Sequence, residues 1–152
     1  MAGPTRFWED YEVGAVYDIG SKLMTKEDIV DFASKFDPQP FHLDEEAGRR
    51  SIFGGLAASG WHTCSAVMRL LVDNYVSRET SLGSPGVDEI RWLKPVLAGD
   101  TISARIRILD KKASRSRPEM GSIFNQYEVY NQDGVLVMTM KGVGLFRRRP
   151  AA

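Results

Sequence analysis

One short segment of the chain brings together the residues that could carry chemistry. FDPQPFH, residues 36–42, holds two prolines, an acid and one of the two histidines of the sequence. Pro38 and Pro40 each fix φ and remove a backbone donor, so the segment is predicted to be extended and stiff. A stiff loop could aim Asp37 and His42 into one pocket, the carboxylate as a base for water and the imidazole as the group that moves a proton near neutral pH. Alternatively, Asp37 only starts a turn before a proline and His42 is structural.

Composition limits the kind of protein that carries this segment. The 152 residues fit one domain with a real core, and Lys+Arg and Asp+Glu balance at 20 each, so no overall field favours nucleic acid. The basic run at 147–149 is interpreted as a solvated tail. A single cysteine, the absence of a metal-ligand spacing and the lack of a phosphate loop favour a protein without metal or other cofactor. No apolar run approaches membrane-spanning length, and the first residues lack a signal-peptide pattern, so a cytoplasmic location without membrane contact is expected.

Two helical patterns surround the FDPQPFH segment. Thr25 before Lys26 is a good N-cap, and apolar residues then recur at helical spacing until Pro38 ends the run. Residues 43–49 predict another helical turn or two, ending at a glycine. A long apolar helix follows, from about Ala57 to Val76, and opens with small residues that suit close packing or a nearby ligand.

The period changes to two after the long helix. Residues 87–96, 101–112, 122–132 and 135–146 predict four strands, and polar and apolar residues alternate strictly along 101–108. NQDG at 131–134 is a strong hairpin signal. The order predicts an α+β domain in which an antiparallel meander wraps around the long helix, and pairing of two such sheets edge to edge would cover an exposed strand.

Three segments resemble one known family. FDPQPFHLDEEAG resembles the hydratase signature of the MaoC-like dehydratases, a hot dog family that includes the (R)-specific enoyl-CoA hydratases. FGGLAASGWHTCSAVMRLLVD and DEIRWLKPVLAGDTI resemble the family's segment leading into its central helix and its following strand with a Gly-Asp turn. The resemblance covers roughly residues 10–146 as one domain and leaves 147–152 as a basic tail. The chain departs from the family in having Ser59-Gly60 where His-Gly is usual, and Pro38-Gln39 where an Asn commonly follows the acid.

The resemblance implies a homodimer of hot dogs that adds water across the 2,3 double bond of an enoyl-CoA, giving the (R)-3-hydroxyacyl-CoA, or eliminates water in reverse. It implies no metal or redox cofactor, and as partner an acyl-CoA or acyl-carrier-protein thioester. The expected site comprises catalytic Asp37 and His42, a backbone oxyanion donor at Gly60, a supporting hydroxyl at Ser65 and, for the substrate phosphates, Lys94, Arg115 and Arg117.

Two other functions fit the same fold. A hot dog thioesterase commonly carries a carboxylate on or beside the central helix, but the only acid between residues 57 and 75 is Asp73, near the far end, so the sequence favours a hydratase. A non-catalytic acyl-thioester binder would need neither Asp37 nor His42. His62 is interpreted as a packing residue and Cys64 as a buried, inert thiol.

Overall fold

The computed structural model describes residues 5–151. Its helices are α1 (Lys26–Phe36), α2 (Pro40–Leu43), α3 (Glu45–Arg50) and α4 (Gly60–Asn74), and its strands are β1 (Val16–Leu23), β2 (Gly86–Trp92), β3 (Thr101–Ala113), β4 (Met120–Tyr130) and β5 (Leu136–Arg147). Thr25 caps α1 as predicted, since its hydroxyl accepts from the Asp28 amide at 3.1 Å. α3 continues through Gly48 instead of ending there. Only a glycine fits at this point, because a Cβ would lie 2.4 Å from the Gly55 carbonyl oxygen.

The strands form one antiparallel sheet in the order β1-β3-β4-β5-β2. Apolar residues of α4, such as Val67, Leu70 and Leu71, share a single core with the inward side chains of this sheet. The predicted α+β hot dog layout is therefore confirmed. The meander is shorter than predicted, because only β3, β4 and β5 follow one another as neighbours, while β2 pairs with β5 at the far edge.

Alternation along the strands decides which side chains reach the core. In β3, Ile102, Ala104, Ile106 and Ile108 are buried while the residues between them are not, as predicted. In β4, the residues at 121, 123, 125, 127 and 129 face inward in the same way. The inward row of β4 therefore faces the same interior as α4.

The central helix is shorter and less enclosed than its sequence predicts. It begins at Gly60, and Ala57 before it is extended, in a bridge with Leu97. Trp61, Met68 and Val72 remain 57%, 51% and 36% exposed, so one apolar face of α4 is open in the single chain. The outer strand β2 is also largely exposed. The predicted two-fold pairing would cover an edge of this kind.

The basic C-terminal segment is tied to the N-terminal turn of the described chain. Arg148 lies 3.2 Å from Glu9, and Arg149 lies 2.5 Å from Asp10. The hydrogen bond from Arg149 is the main reason why the pKa of Asp10 is lowered. These contacts hold the predicted basic tail against the N-terminal turn, although the Arg149 side chain stays 55% exposed, and residue 152 of that tail lies outside the described residues.

Candidate active site

The two prolines place Asp37 and His42 at facing helix ends. Asp37 is the residue after α1, and its amide still donates to the Ala33 carbonyl at 2.8 Å. Pro38 then stops the helix, and Pro40 opens α2, where a missing N–H removes no helical bond. His42 follows within α2, so that its Nε2 lies 3.3 Å from Asp37 Oδ2. The structure thus brings the two predicted residues into contact.

One backbone contact fixes the orientation of the His42 ring. Nδ1 lies 2.6 Å from the carbonyl oxygen of Ala57, and a carbonyl only accepts, so Nδ1 carries a hydrogen. Nε2 is therefore the nitrogen that faces Asp37. The contact of Nε2 with the carboxylate is attractive when Nε2 also carries a proton. The side chain of His42 is only 7% exposed, which protects this arrangement from competing water.

The surroundings of Asp37 keep its carboxylate ionised. Burial, the largest influence, raises the pKa, but three neighbours favour the charge and together outweigh it, so that the pKa is lowered. Gln39 donates from Nε2 to Oδ1 at 2.6 Å, the hydroxyl of Ser59 stabilises the charge, and His42 attracts it. Ser59 is buried, and its hydroxyl meets full hydrogen-bond geometry with no described atom, Asp37 included, so no other group competes for it.

Gly60 begins α4 beside this pair. The first amides of a helix have no acceptor within the helix and lie at the positive end of its dipole. Trp92 of β2 donates from its indole nitrogen to the Gly60 carbonyl at 3.1 Å, which orients the adjoining peptide. A Cβ at residue 60 would lie 2.4 Å from a ring carbon of Trp92, so the position requires glycine.

A cavity of about 530 Å³ unites these groups and is called the proximal cavity. Asp37, His42, Ser59 and Gly60 lie on its wall, and the rest is mostly apolar: Phe41, Phe53, Trp61, Trp92, Val96 and Met138. Among the described residues that line it, Asp37 is the only carboxylate and Lys94 the only cation. A pocket of this kind, with one acid, one imidazole and a helix N-terminus, suits proton transfer at a substrate held by apolar contacts.

A model of the MaoC like domain matches residues 11–125. The chain belongs to the MaoC-like family. A MaoC-like dehydratase from Rhodospirillum rubrum, a solved structure, is 40% identical with a TM-score of 0.88 over 96% of this chain and 99% of that one. The uncharacterized protein YdeM of Bacillus subtilis is 30% identical over 129 residues, which is 85% of this chain and 90% of YdeM. An (R)-hydratase from Pseudomonas aeruginosa shares the fold with a TM-score of 0.75 at 19% identity, over 94% of this chain and 86% of that one.

Several predicted residues lie outside the proximal cavity of this MaoC-like domain. Arg115 and Arg117 lie in the turn between β3 and β4 and do not line it. Ser65 lies on the exposed face of α4, where its hydroxyl donates to the Trp61 carbonyl at 2.8 Å. Ser65 is thus not the hydroxyl that supports Asp37. Ser59, six residues earlier, has that place.

The two other reactive side chains of the central helix pack, as predicted. His62 stacks on Phe32 of α1, with ring centroids 4.9 Å apart and an interplanar angle of 10°, and burial lowers its pKa. Burial raises the pKa of Cys64, whose sulfur lies 3.7 Å from that of Met138. A thiol with a raised pKa is a poor nucleophile.

A second cavity, called the distal cavity, was not predicted from the sequence. It measures about 370 Å³, lies between α4 and strands β2, β4 and β5, and shares Trp61 with the proximal cavity. Asn125 and Tyr75 line it, and the Asn125 Oδ1 and Tyr75 hydroxyl are buried without a partner among the described residues. The sequence could have predicted a role for Asn125, because it is a polar residue on the inward row of an alternating strand, where a polar side chain needs a hydrogen-bond partner.

Proposed function

We propose that this MaoC-like domain hydrates 2-enoyl thioesters to (R)-3-hydroxyacyl thioesters and catalyses the reverse dehydration. The observation that carries the proposal is the 3.3 Å contact between Asp37 Oδ2 and His42 Nε2 in an apolar cavity beside the start of α4. The description of the R. rubrum relative as a dehydratase supports the same chemistry. No helix of the described residues is long and apolar enough to cross a membrane.

The facing pair divides the proton transfers between two groups. Ionised Asp37 removes a proton from water while the water oxygen bonds to Cβ of the enoyl group. His42, protonated at Nε2, gives its proton to Cα, so hydroxide and a proton have added across the double bond. A proton then returns from Asp37 to His42 across the 3.3 Å contact, which resets the pair. Addition of water changes no oxidation state overall, and the proposed steps therefore need no redox cofactor.

The first amides of α4 supply the third requirement of this reaction. Negative charge develops on the thioester oxygen as water adds, and the Gly60 N–H at the positive end of the helix dipole is proposed to stabilise it. Loss of one such donor typically slows a reaction by about 10²–10³. Lys94, on the wall of the proximal cavity, is proposed to bind phosphate of coenzyme A or of an acyl carrier protein.

Thioester hydrolysis is the rival activity, and the one acid of the central helix lies far from the proximal cavity. Asp73 pairs with Arg69 at 2.9 Å near the end of α4 and lines neither cavity. If hydrolysis were the activity, saturated acyl-CoA would release free thiol at a rate that depends on Asp37. We expect negligible release, as measured with a thiol reagent. Rapid release from saturated substrates would favour the thioesterase.

We further propose that the protein is a homodimer joined through the exposed edge strand β2. Two such edges related by a two-fold axis would complete each other's hydrogen bonds. Sedimentation at micromolar concentration should show twice the 17.0 kDa mass of the chain, and a monomer alone would contradict the proposal.

The hydration proposal is tested with trans-2-enoyl-CoA substrates from butenoyl to decenoyl. The purified protein should abolish the absorbance of the conjugated enoyl group and yield product that an (S)-specific 3-hydroxyacyl-CoA dehydrogenase leaves unoxidised. Ser65→Ala is the control for expression and purification of a variant, and it should keep full activity because the Ser65 hydroxyl donates to the Trp61 carbonyl and not into the cavity. Absence of turnover across the whole series, with protein that retains its fold by circular dichroism, would refute the proposal.

A further inference from the structure

The distal cavity lies beside the proximal cavity on the same face of the sheet. On β5, Met138 lines the proximal cavity and Met140 the distal one. On β2, their cross-strand partners Trp92 and Ile90 divide in the same way. Residues two apart on a strand face the same side, so both cavities open onto one face of the sheet. Trp61 lies between them and lines both. An acyl chain that leaves the reacting carbons along this face is directed toward the distal cavity.

Two polar side chains in the distal cavity have unused hydrogen-bonding capacity. Asn125 and Tyr75 are each only 2% exposed. The Asn125 amide nitrogen lies 3.4 Å from the Ile123 carbonyl, but its Oδ1 has no partner among the described residues, and neither has the Tyr75 hydroxyl. Buried polar atoms without partners are rare because they lose hydration and gain nothing in return. A ligand in the cavity is a source of the missing bonds.

Space for such a ligand exists at the level of Asn125. The residue opposite it on β5 is Gly142, which has no side chain, and a Cβ there would meet nothing closer than 3.9 Å. Gly86 and Gly144 also line the cavity. The wall is otherwise mostly apolar, which suits a hydrocarbon chain.

The charge of the cavity restricts the polar group that it can accept. Among the described residues, no Lys, Arg, Asp or Glu lines it. Burial raises the pKa of Tyr127 to about 12 and raises that of Tyr75 further, so both phenols are neutral. A carboxylate or ammonium would be buried here without a counter-charge, which is unfavourable. A ligand hydroxyl can donate to Asn125 Oδ1 or accept from the Tyr75 hydroxyl, and it does either without charge.

We propose that the distal cavity binds the acyl end of the thioester and selects acyl groups that carry a neutral hydroxyl near that end. The inference rests on the proposed function for the identity of the ligand as an acyl thioester. It goes further in assigning substrate selection to Asn125 and Tyr75. The preferred substrate is then an oxygenated acyl chain and not a plain hydrocarbon.

Binding measurements test the selection without requiring turnover. Saturated hexanoyl-, octanoyl- and decanoyl-CoA and their terminal-hydroxy counterparts are titrated by calorimetry into the wild-type protein. At the length that reaches the two polar groups, the hydroxylated ligand should bind about tenfold or more tightly than the plain one. Equal affinity at every length, or tighter binding of the plain chains, would overturn the proposal.

Two variants and one control locate the effect. Tyr75→Phe removes only an unpartnered hydroxyl, and Asn125→Leu replaces the amide by an apolar group of similar size; each should abolish most of the hydroxyl preference. Tyr11→Phe is the control: the Tyr11 ring packs at 45° against that of Tyr75 with centroids 5.1 Å apart, and its hydroxyl donates to the Tyr75 carbonyl at 3.3 Å. Tyr11 lines neither cavity, so its variant should keep the full preference. A preference that survives in both cavity variants contradicts the assignment, and thermal unfolding checks that each variant folds.

Failure of the proposed function can be told apart from failure of this inference. If hydroxylated acyl-CoA binds more tightly but no enoyl-CoA is turned over, the hydration proposal is refuted, while the distal cavity is still supported as the site that binds the acyl end. Turnover of plain and hydroxylated enoyl-CoA with equal kcat/KM and equal affinity would retain hydration and refute the selection.

Discussion

Replacing Ser59 by alanine should move the acid side of the pH profile of hydration to higher pH. The buried Ser59 hydroxyl helps to lower the pKa of Asp37, and Asp37 must be ionised to remove a proton from water. Activity is therefore lost as the pH falls through the pKa of Asp37. When a group that stabilises the carboxylate is removed, that pKa rises, and the loss of activity begins at higher pH.

The size of the displacement follows from the strength of the contact. Hydrogen bonds to charged groups contribute about 1.5–3 kcal/mol. The Ser59 hydroxyl does not meet full hydrogen-bond geometry, and Gln39 still donates to Asp37 at 2.6 Å in the variant, so the lower end applies. About 1.4 kcal/mol corresponds to about one pH unit. The side chain makes no capping bond to α4, so the substitution removes no helix cap.

The assay is kcat/KM for hydration of a 2-enoyl-CoA as a function of pH, which reports the ionisation of the free enzyme. Ser65→Ala is the control, because it deletes the same atom from the exposed face of the same helix. Its profile should match the wild type. Coincident acid limbs for Ser59→Ala and the wild type would refute the reasoning, as would an equal displacement in Ser65→Ala.

Three further predictions concern other parts of the site. Asp37→Asn and His42→Ala should each slow hydration by about 10²–10⁴. The double variant should be scarcely slower than the worse single one, because the two residues act as a pair in one addition of water; additive losses measured under identical conditions would argue against a shared step. Gly60→Ala should destabilise the protein by about 1–3 kcal/mol in thermal or urea unfolding, since its Cβ would lie 2.4 Å from an indole carbon, and an unchanged midpoint would contradict the packing. Lys94→Ala should raise KM for CoA thioesters with little change in kcat, whereas Arg117→Ala, outside both cavities, should change neither, and identical kinetics in the two variants would remove Lys94 from the substrate site.

The elements of the fold were largely readable from the sequence because each follows a local rule. Thr25 caps a helix, two prolines end and begin helices, and the period of two marks the strands. The position of β2 was not readable. β2 precedes β3 in the sequence but lies at the far edge of the sheet, beside β5. The sequence of β2 does not show whether it pairs with β3 or with β5.

The candidate site was predictable where the chain is stiff and less so where it depends on packing. Asp37 and His42 are five positions apart on one proline-rich loop, so their proximity followed from local geometry. The choice between Ser59 and Ser65 depended on where α4 begins and how it turns relative to Asp37. The two cavities depend on which side chains of distant strands face α4, and no local rule contains that information.

Trp92 links the start of α4 to the far edge of the sheet. The indole both fills the space above the glycine and holds its carbonyl, yet the residue belongs to β2 and not to the helix that it serves. If the dimer forms through β2 as proposed, the peptide that follows the Gly60 N–H at the start of α4 is held from the seam between two protomers. Dilution that separates the protomers should then lower the specific activity before it unfolds the chain, and the enzyme would be competent only when assembled.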